Sequence, residues 1–237
     1  MDGRPHAPGR RGADAIMIDT ANPRRRVLRL FATPVIVDEL GDSDLNTELE
    51  KAIVARMNSD PGVRLSNLGG WQSKHDLPTW AGAAGQRIVK HAAALATANT
   101  TAAPGSAIRW SIDAWANVSV NGASNRTHIH GGSFWSAVYY VRVGGGEGGE
   151  LMLHDPRMPA LRMHAPNLRF KDGGPEVIVP IKPKAGLMIL FPAWLSHSVQ
   201  PWEGDSRISI AMNIRAGSPV PSRRRVPAVS KSNPDKD

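Results

Sequence analysis

Two textures divide the chain. In SDLNTELEKAIVARMNSD (43–60) apolar residues recur three and four apart, which puts Leu45, Leu49, Ile53 and Val54 on one helical face, with Ser43 or Asp44 as the N-cap. A second helix is expected over about 82–98, burying Ile88, Ala92 and Leu95. Before the first helix, VLRLFATPVIVDEL (27–40) reads as a strand interrupted by Pro34. The polar loop SNLGGWQSKHDLPTW (66–80) separates the two helices.

From about residue 107 the period shortens. IRWSIDAWANVSV, SAVYYVRV, ELMLHDP, EVIVPI, GLMILFP and RISIAMNIRA are short β-rich runs broken by Gly, Pro and Asp. Six or more such strands after helices predict an α+β fold that is mainly β, with the N-terminal helices packed outside an antiparallel sandwich or barrel. The run GGGEGG (144–149) is read as a tight strand connection, since no helix follows to make it a phosphate cradle. One domain is expected over 27–216, flanked by disordered basic tails at 1–26 and 217–237.

Composition narrows the chemistry. No cysteine occurs in the 237 residues, which excludes disulfides, iron–sulfur clusters and thiol nucleophiles. Any metal must be held by histidine, carboxylate or backbone oxygen. The net charge of +8 would suggest nucleic acid if it were spread over one face. It sits at the ends instead: seven Arg against three Asp in residues 1–30, and five Lys or Arg against two Asp in residues 216–237. The body carries about +1, so the tails are read as solvating segments and no specific nucleic-acid partner is expected. No window has the apolar length of a membrane span or a signal peptide, and a cytoplasmic location is the expectation.

The candidate chemistry begins at THIHGGSFWSAVYYVRV (127–143). Residues two apart on a strand point to one face, so His128 and His130 can converge on one point. Downstream, FPAWLSHSVQPWEGDSRISIAMNI carries His197 and, ten residues on, Arg207. A hairpin between them would return Arg207 alongside His197, where a planar guanidinium could grip a carboxylate beyond a metal.

These segments resemble the double-stranded β-helix oxygenases that use Fe(II) and 2-oxoglutarate, and in particular a bacterial branch of that family. The matching stretches are HIH (128–130), SAVYYV (136–141), GGELMLHDPR (148–157), FPAWLSHSVQP (191–201) and RISIAMN (207–213), with weaker echoes in LFATPVIV (30–37) and SNLGGWQS (66–73). The resemblance implies a dioxygenase with Fe(II), 2-oxoglutarate and O2 as cofactor and co-substrates. It would hydroxylate a small molecule, amino acid or peptide and release succinate and CO2. His197 becomes the distal metal ligand, and Arg207 the anchor for the far carboxylate of 2-oxoglutarate. Ser209 and Tyr140 would join Arg207 there, and Asn117 would contact co-substrate or substrate. Members of this family often pair, so a homodimer is possible.

The first ligand motif departs from the family, which has His-x-Asp or His-x-Glu there. Three registers stay open. His128, His130 and His197 form an all-histidine face; or His130 comes first and Gly132 leaves the carboxylate slot vacant, as in related halogenases; or a carboxylate such as Asp155 arrives from elsewhere. Asp155-Pro156-Arg157 also reads simply as a turn ending a strand. Two other functions fit the same residues: a cupin-like metalloenzyme that does not use 2-oxoglutarate, and a non-catalytic binding module. Trp71, Trp80, Trp135 and Trp194 are candidates for a substrate cleft or for core filling, with Phe134 beside Trp135 at the mouth. His6, His75, His91 and His164 have no partner spacing and are assigned no role.

Overall fold

The computed structural model describes residues 16–18, 26–28, 31–104, 106–157, 177–217 and 220–221. The chain divides into two compact units, Met1–Pro34 and Val35–Asp237. Within the first, β1 (Ile16–Ile18) and β2 (Arg26–Leu28) form an antiparallel ladder with Ile16 opposite Leu28. Most of the two expected tails lies outside the described residues, as do His6 and His164.

The second unit opens with β3 (Ile36–Glu39) and α1 (Ser43–Ser59), then β4 (Asn67–Leu68), β5 (Trp71–Gln72), α2 (Leu77–Trp80) and α3 (Gly82–Ala98). Strands follow: β6 (Ser106–Ala107), β7 (Trp110–Ser119), β8 (Ser124–His128), β9 (Trp135–Val143), β10 (Gly146–Gly148), β11 (Leu151–His154) and β12 (Ile178–Ile181). The last are β13 (Leu187–Pro192), β14 (His197–Val199), β15 (Trp202–Gly204), β16 (Arg207–Ala216) and β17 (Val220–Pro221). Both helices and all six strand runs expected from the pattern are present. The six apolar runs leave out β8 and β14, whose polar residues SNRTH and HSV hide the period of two. Those two strands carry His128 and His197. No helix among the described residues is long and apolar enough to cross a membrane.

Two antiparallel sheets make the frame. A six-stranded sheet runs β3-β13-β9-β16-β7-β5, and a five-stranded sheet runs β12-β11-β14-β8-β4. They face each other across a cavity lined from both, the double-stranded β-helix arrangement. Among the described residues the sheets do not close into a barrel.

The six-stranded sheet is covered on both sides, which explains its near-continuous apolar strands. Its outer face packs Tyr139, Met188, Leu190, Ile208, Ile210 and Met212 against Leu45, Leu49 and Ile53 of α1 and Ile88, Ala92 and Ala96 of α3. Leu95 and Val54 are only partly buried at the edge of that contact. The inner face meets the other sheet through Tyr140, Leu151, Leu153, Leu187, Ile189, Phe191 and Leu195. Tyr139 and Tyr140 therefore belong to different cores, and the Tyr139 hydroxyl donates to Asn46 Oδ1 at 2.5 Å.

The cap of α1 is Asp42, one residue before Ser43 and two before Asp44, the expected caps. Its Oδ1 accepts from the Leu45 amide at 2.9 Å, and its Oδ2 pairs with Arg87 of α3, so one carboxylate caps one helix and ties it to the other. That second partner lies forty-five positions downstream and left no local trace in the sequence. Asp42→Ala should lower the urea midpoint, through loss of the cap with little added by the exposed ion pair. Urea denaturation checks this, and an unchanged midpoint would refute the capping role.

Candidate metal centre

In the five-stranded sheet β14 pairs with β8, and the register sets His197 directly opposite His128. The next pair is Val199 with Asn125, so β8 carries one extra residue between the two pairs. Such a bulge re-aims a side chain at the end of a ladder. His130 arrives differently from the expectation. β8 ends at His128, so His130 stands on the following loop and strand alternation does not place it. Its amide donates to the Ala193 carbonyl at 2.9 Å, and its own carbonyl accepts from Ser133. These contacts fold the loop back over β14.

The three imidazoles meet. Ring centroids lie 4.3 Å apart for His128 and His197, and 5.0 Å for each pairing with His130. One nitrogen from each ring falls within 4.8 Å of the others. His130 Nε2 and His197 Nε2 are 3.2 Å apart. Two nitrogens each about 2.1 Å from one cation, at right or tetrahedral angles, stand about 3.0–3.4 Å apart, so this pair suits a shared metal. The far sides of two rings are also fixed. His197 Nδ1 lies 2.8 Å from the Leu195 carbonyl, and His128 Nδ1 2.6 Å from that of Arg126. Donation from Nδ1–H to those carbonyls leaves each Nε2 lone pair turned to the centre, as metal-binding histidines require.

Burial keeps His130 and His197 neutral. It pulls His197 down to about 3, aided by the charge of His128. It likewise pulls His130 down to about 4, with His128 and His75 adding to it.

Among the described residues this is the one cluster of three groups able to hold a metal. Asp155 is not in it: Oδ1 accepts from the Arg157 amide at 2.8 Å and Oδ2 from Nη2 at 3.0 Å, which is the strand-ending turn. Gly132 does not line the cavity; its φ of 78° makes the turn between His130 and Phe134.

Arg207 faces this cluster from the other sheet. The expected hairpin with His197 is not formed: β14 lies in the five-stranded sheet and β16 in the six-stranded one, and β15 between them pairs with β10. Arg207 therefore reaches the same cavity across the sandwich. It is 3% exposed, and its guanidinium carbon lies 5.8 Å from the centre of the Tyr140 ring. Nη1 donates to the Gly149 carbonyl at 2.5 Å and Nη2 to Ser119 Oγ at 3.1 Å, while Nε is buried with no partner. Ser209 stands opposite Asn117 on β7 and Tyr140 on β9, so the three form one polar row a step along from Arg207. All three line the cavity. Burial pushes the Tyr140 phenol up to about 12, so it stays protonated and able to donate.

The aromatic wall is not the one expected. Trp135 donates to Thr100 Oγ1, Trp80 to Asp76 Oδ1 and Trp71 to the Asp60 carbonyl, all away from the cavity, and Trp194 is half exposed. Phe134 is exposed beside Trp110. Instead Trp115 and Phe191 flank the imidazoles. Phe191 meets His197 edge-on at 4.8 Å, and Trp115 lies 6.0 Å from His130. His75, to which spacing gave no role, stacks on Trp115 at 4.2 Å, while His91 pairs with Asp38. Trp115 shares strand and face with Asn117, so alternation along ANVSV and its preceding residues was the available signal.

Several solved structures share this fold. A prolyl-4-hydroxylase from Pseudomonas putida superposes with a TM-score of 0.56 at 19% identity, covering 78% of this chain and 93% of its own. A prolyl hydroxylase from Trichoplax adhaerens, in complex with a hypoxia-inducible-factor peptide, gives 0.57 at 14% identity over 78% and 84%. HygX from Streptomyces hygroscopicus, with nickel and 2-oxoglutarate bound, gives 0.52 at 14% identity over 77% and 83%. No curated protein sequence matches the chain. Residues 113–213 match the family described as "Putative 2OG-Fe(II) oxygenase", a span that runs from β7 to β16 and contains all three histidines and Arg207. Over that span the chain is similar to the Fe(II)- and 2-oxoglutarate-dependent oxygenases, and the solved structures share its fold.

Proposed function

We propose that the protein is a dioxygenase that couples oxidative decarboxylation of 2-oxoglutarate to hydroxylation of an unactivated C–H bond in a small molecule, amino acid or peptide. Substrate, O2 and 2-oxoglutarate give hydroxylated substrate, succinate and CO2. The observation that carries this reading is the pairing of three converging imidazoles with one buried guanidinium across a single cavity.

His128, His130 and His197 would hold Fe(II), which supplies the dioxygen and one-electron chemistry that no side chain here can provide. An all-imidazole face brings no negative charge to the cation, so the compensating anion is left to the co-substrate. Arg207 would take the distal carboxylate of 2-oxoglutarate, with the neutral Tyr140 phenol and the Ser209 hydroxyl as further donors beside it. Asn117, next to them, is free to orient co-substrate or substrate. Leu151, Phe191, Val199 and Trp115 line the remaining wall with apolar surface, which keeps water from the reacting centre. A cupin-like reaction without 2-oxoglutarate would leave the buried Arg207 fork without a dicarboxylate, and for that reason the 2-oxoglutarate reading is preferred.

Anaerobic addition of 2-oxoglutarate to the Fe(II)-loaded protein should raise a visible metal-to-ligand charge-transfer band, absent in His197→Ala. No band in the wild type, or a band that survives in His197→Ala, removes the proposal.

Neutral imidazoles also give the metal-free protein a pH signature. The folded pKa values of about 4 and about 3 lie below the ordinary 6.5. Between those limits the unfolded chain binds protons that the native state refuses, so stability is full above about pH 6.5 and falls as pH drops toward 4. The melting temperature of the metal-free protein should decline from pH 7 to pH 5, and less steeply in His130→Asn/His197→Asn. Equal slopes for the two proteins would show that these rings are not buried as neutral bases.

A further inference from the structure

The glycine run at 144–149 does more than turn the chain. Its residues Gly146–Gly148 form β10 and pair with Trp202–Gly204, β15, in a ladder built on close approach. A Cβ on Gly146 would lie 2.3 Å from the Glu203 carbonyl, on Gly148 2.2 Å from that of Pro201, and on Gly204 2.2 Å from that of Gly145. Side chains at these positions would force the ladder apart. The next residue, Gly149, has a φ of 68° and is held by its amide donating to the Pro201 carbonyl at 3.0 Å. That conformation aims its carbonyl at Arg207 Nη1. A Cβ on Gly149 would come within 3.0 Å of Nη1 and of Trp202 Cε3, and 3.3 Å of the guanidinium carbon. Trp202 cannot easily retreat: it is 1% exposed and its indole N–H donates to the Asp205 carbonyl.

The opposite end of the fork is held by β7. Ser119 stands opposite Arg207 in the register, is 7% exposed, and accepts from Nη2. Among the described residues no carboxylate forms an ion pair with Arg207. A buried cation held only by two neutral oxygens is costly unless an anion completes it. The same two oxygens fix the plane in which the remaining N–H groups point. Neither Gly149 nor Ser119 lines the cavity.

We infer that Gly149 and Ser119 are positioning residues that set the direction of the Arg207 fork, so that recognition of a distal carboxylate depends on both although neither touches the co-substrate. The inference rests on the proposed role of Arg207. The glycine ladder exists to bring a backbone carbonyl, with no side chain in the way, against a guanidinium that must not rotate. Bidentate recognition of a carboxylate tolerates little misalignment, so loss of either acceptor weakens binding without removing the cation.

The test titrates Fe(II)-loaded protein anaerobically with 2-oxoglutarate and with 2-oxopentanoate, which keeps the chelating 2-oxo acid and lacks the second carboxylate. Wild type should favour 2-oxoglutarate, and Arg207→Leu should abolish the preference. Gly149→Ala and Ser119→Ala should each lose about tenfold in 2-oxoglutarate affinity. Fe(II) and 2-oxopentanoate binding should stay within about twofold of wild type, and Ser119→Thr should restore the lost affinity. If Gly149→Ala does not fold, Ser119→Ala with its threonine rescue decides. Wild-type affinity in Ser119→Ala, or equal weakening toward both acids, overturns the inference while leaving Arg207 in its role. Absence of any preference in wild type overturns the role of Arg207 and the inference with it.

Discussion

The β8–β14 pairing is the constraint from which the site follows. It places His128 opposite His197 on the inner face of one sheet, in space that the other sheet covers. Polar groups in such a layer must be neutral, paired or completed by a ligand. His130 and His197 satisfy this as neutral bases, and the far nitrogens of His128 and His197 meet backbone carbonyls, which turns their Nε2 lone pairs to the centre. The guanidinium opposite them is a charge with two neutral acceptors and one unpartnered N–H. A divalent cation at one end and a dicarboxylate spanning to the other would complete both sets together. The fold thus encloses two complementary deficits, and the proposed chemistry is the one that fills both.

Much of the scaffold was legible because it rests on local period. The apolar spacing of Leu45, Leu49 and Ile53, and the β-rich runs from 107 onward, gave helices and strands close to their observed limits. What period could not show was which sheet a strand joins. His197 and Arg207 are ten residues apart and look like a hairpin, yet β15 between them diverts to β10, and the two end up in opposing sheets. They still meet at one cavity, for a different geometric reason. His130 is similar: it converges through a loop pinned at Ala193, not through strand alternation.

The aromatic residues show the same limit. Trp135 next to Phe134 looked like a mouth, but its indole is turned to Thr100 on the helix side, whereas Trp115 is the one on the cavity face. Parity along β7 marks Trp115, which with Asn117 and Ser119 alternates with Ala114, Ala116 and Val118 of the helix-side core, whereas Trp135 of β9 belongs to that core. The glycines of β10 were legible only as a turn, since the close approach that demands them comes from a strand more than fifty residues downstream.

The most direct test of the central claim is the position of the metal itself. Crystals of the Fe(II)-loaded protein, measured anaerobically on both sides of the iron absorption edge, should show one anomalous peak within about 2.2 Å of one nitrogen from each of His128, His130 and His197. A peak bound by two of these rings with Asp155 or another carboxylate as third ligand would contradict the account. So would iron scattered over surface histidines with none at the sheet interior.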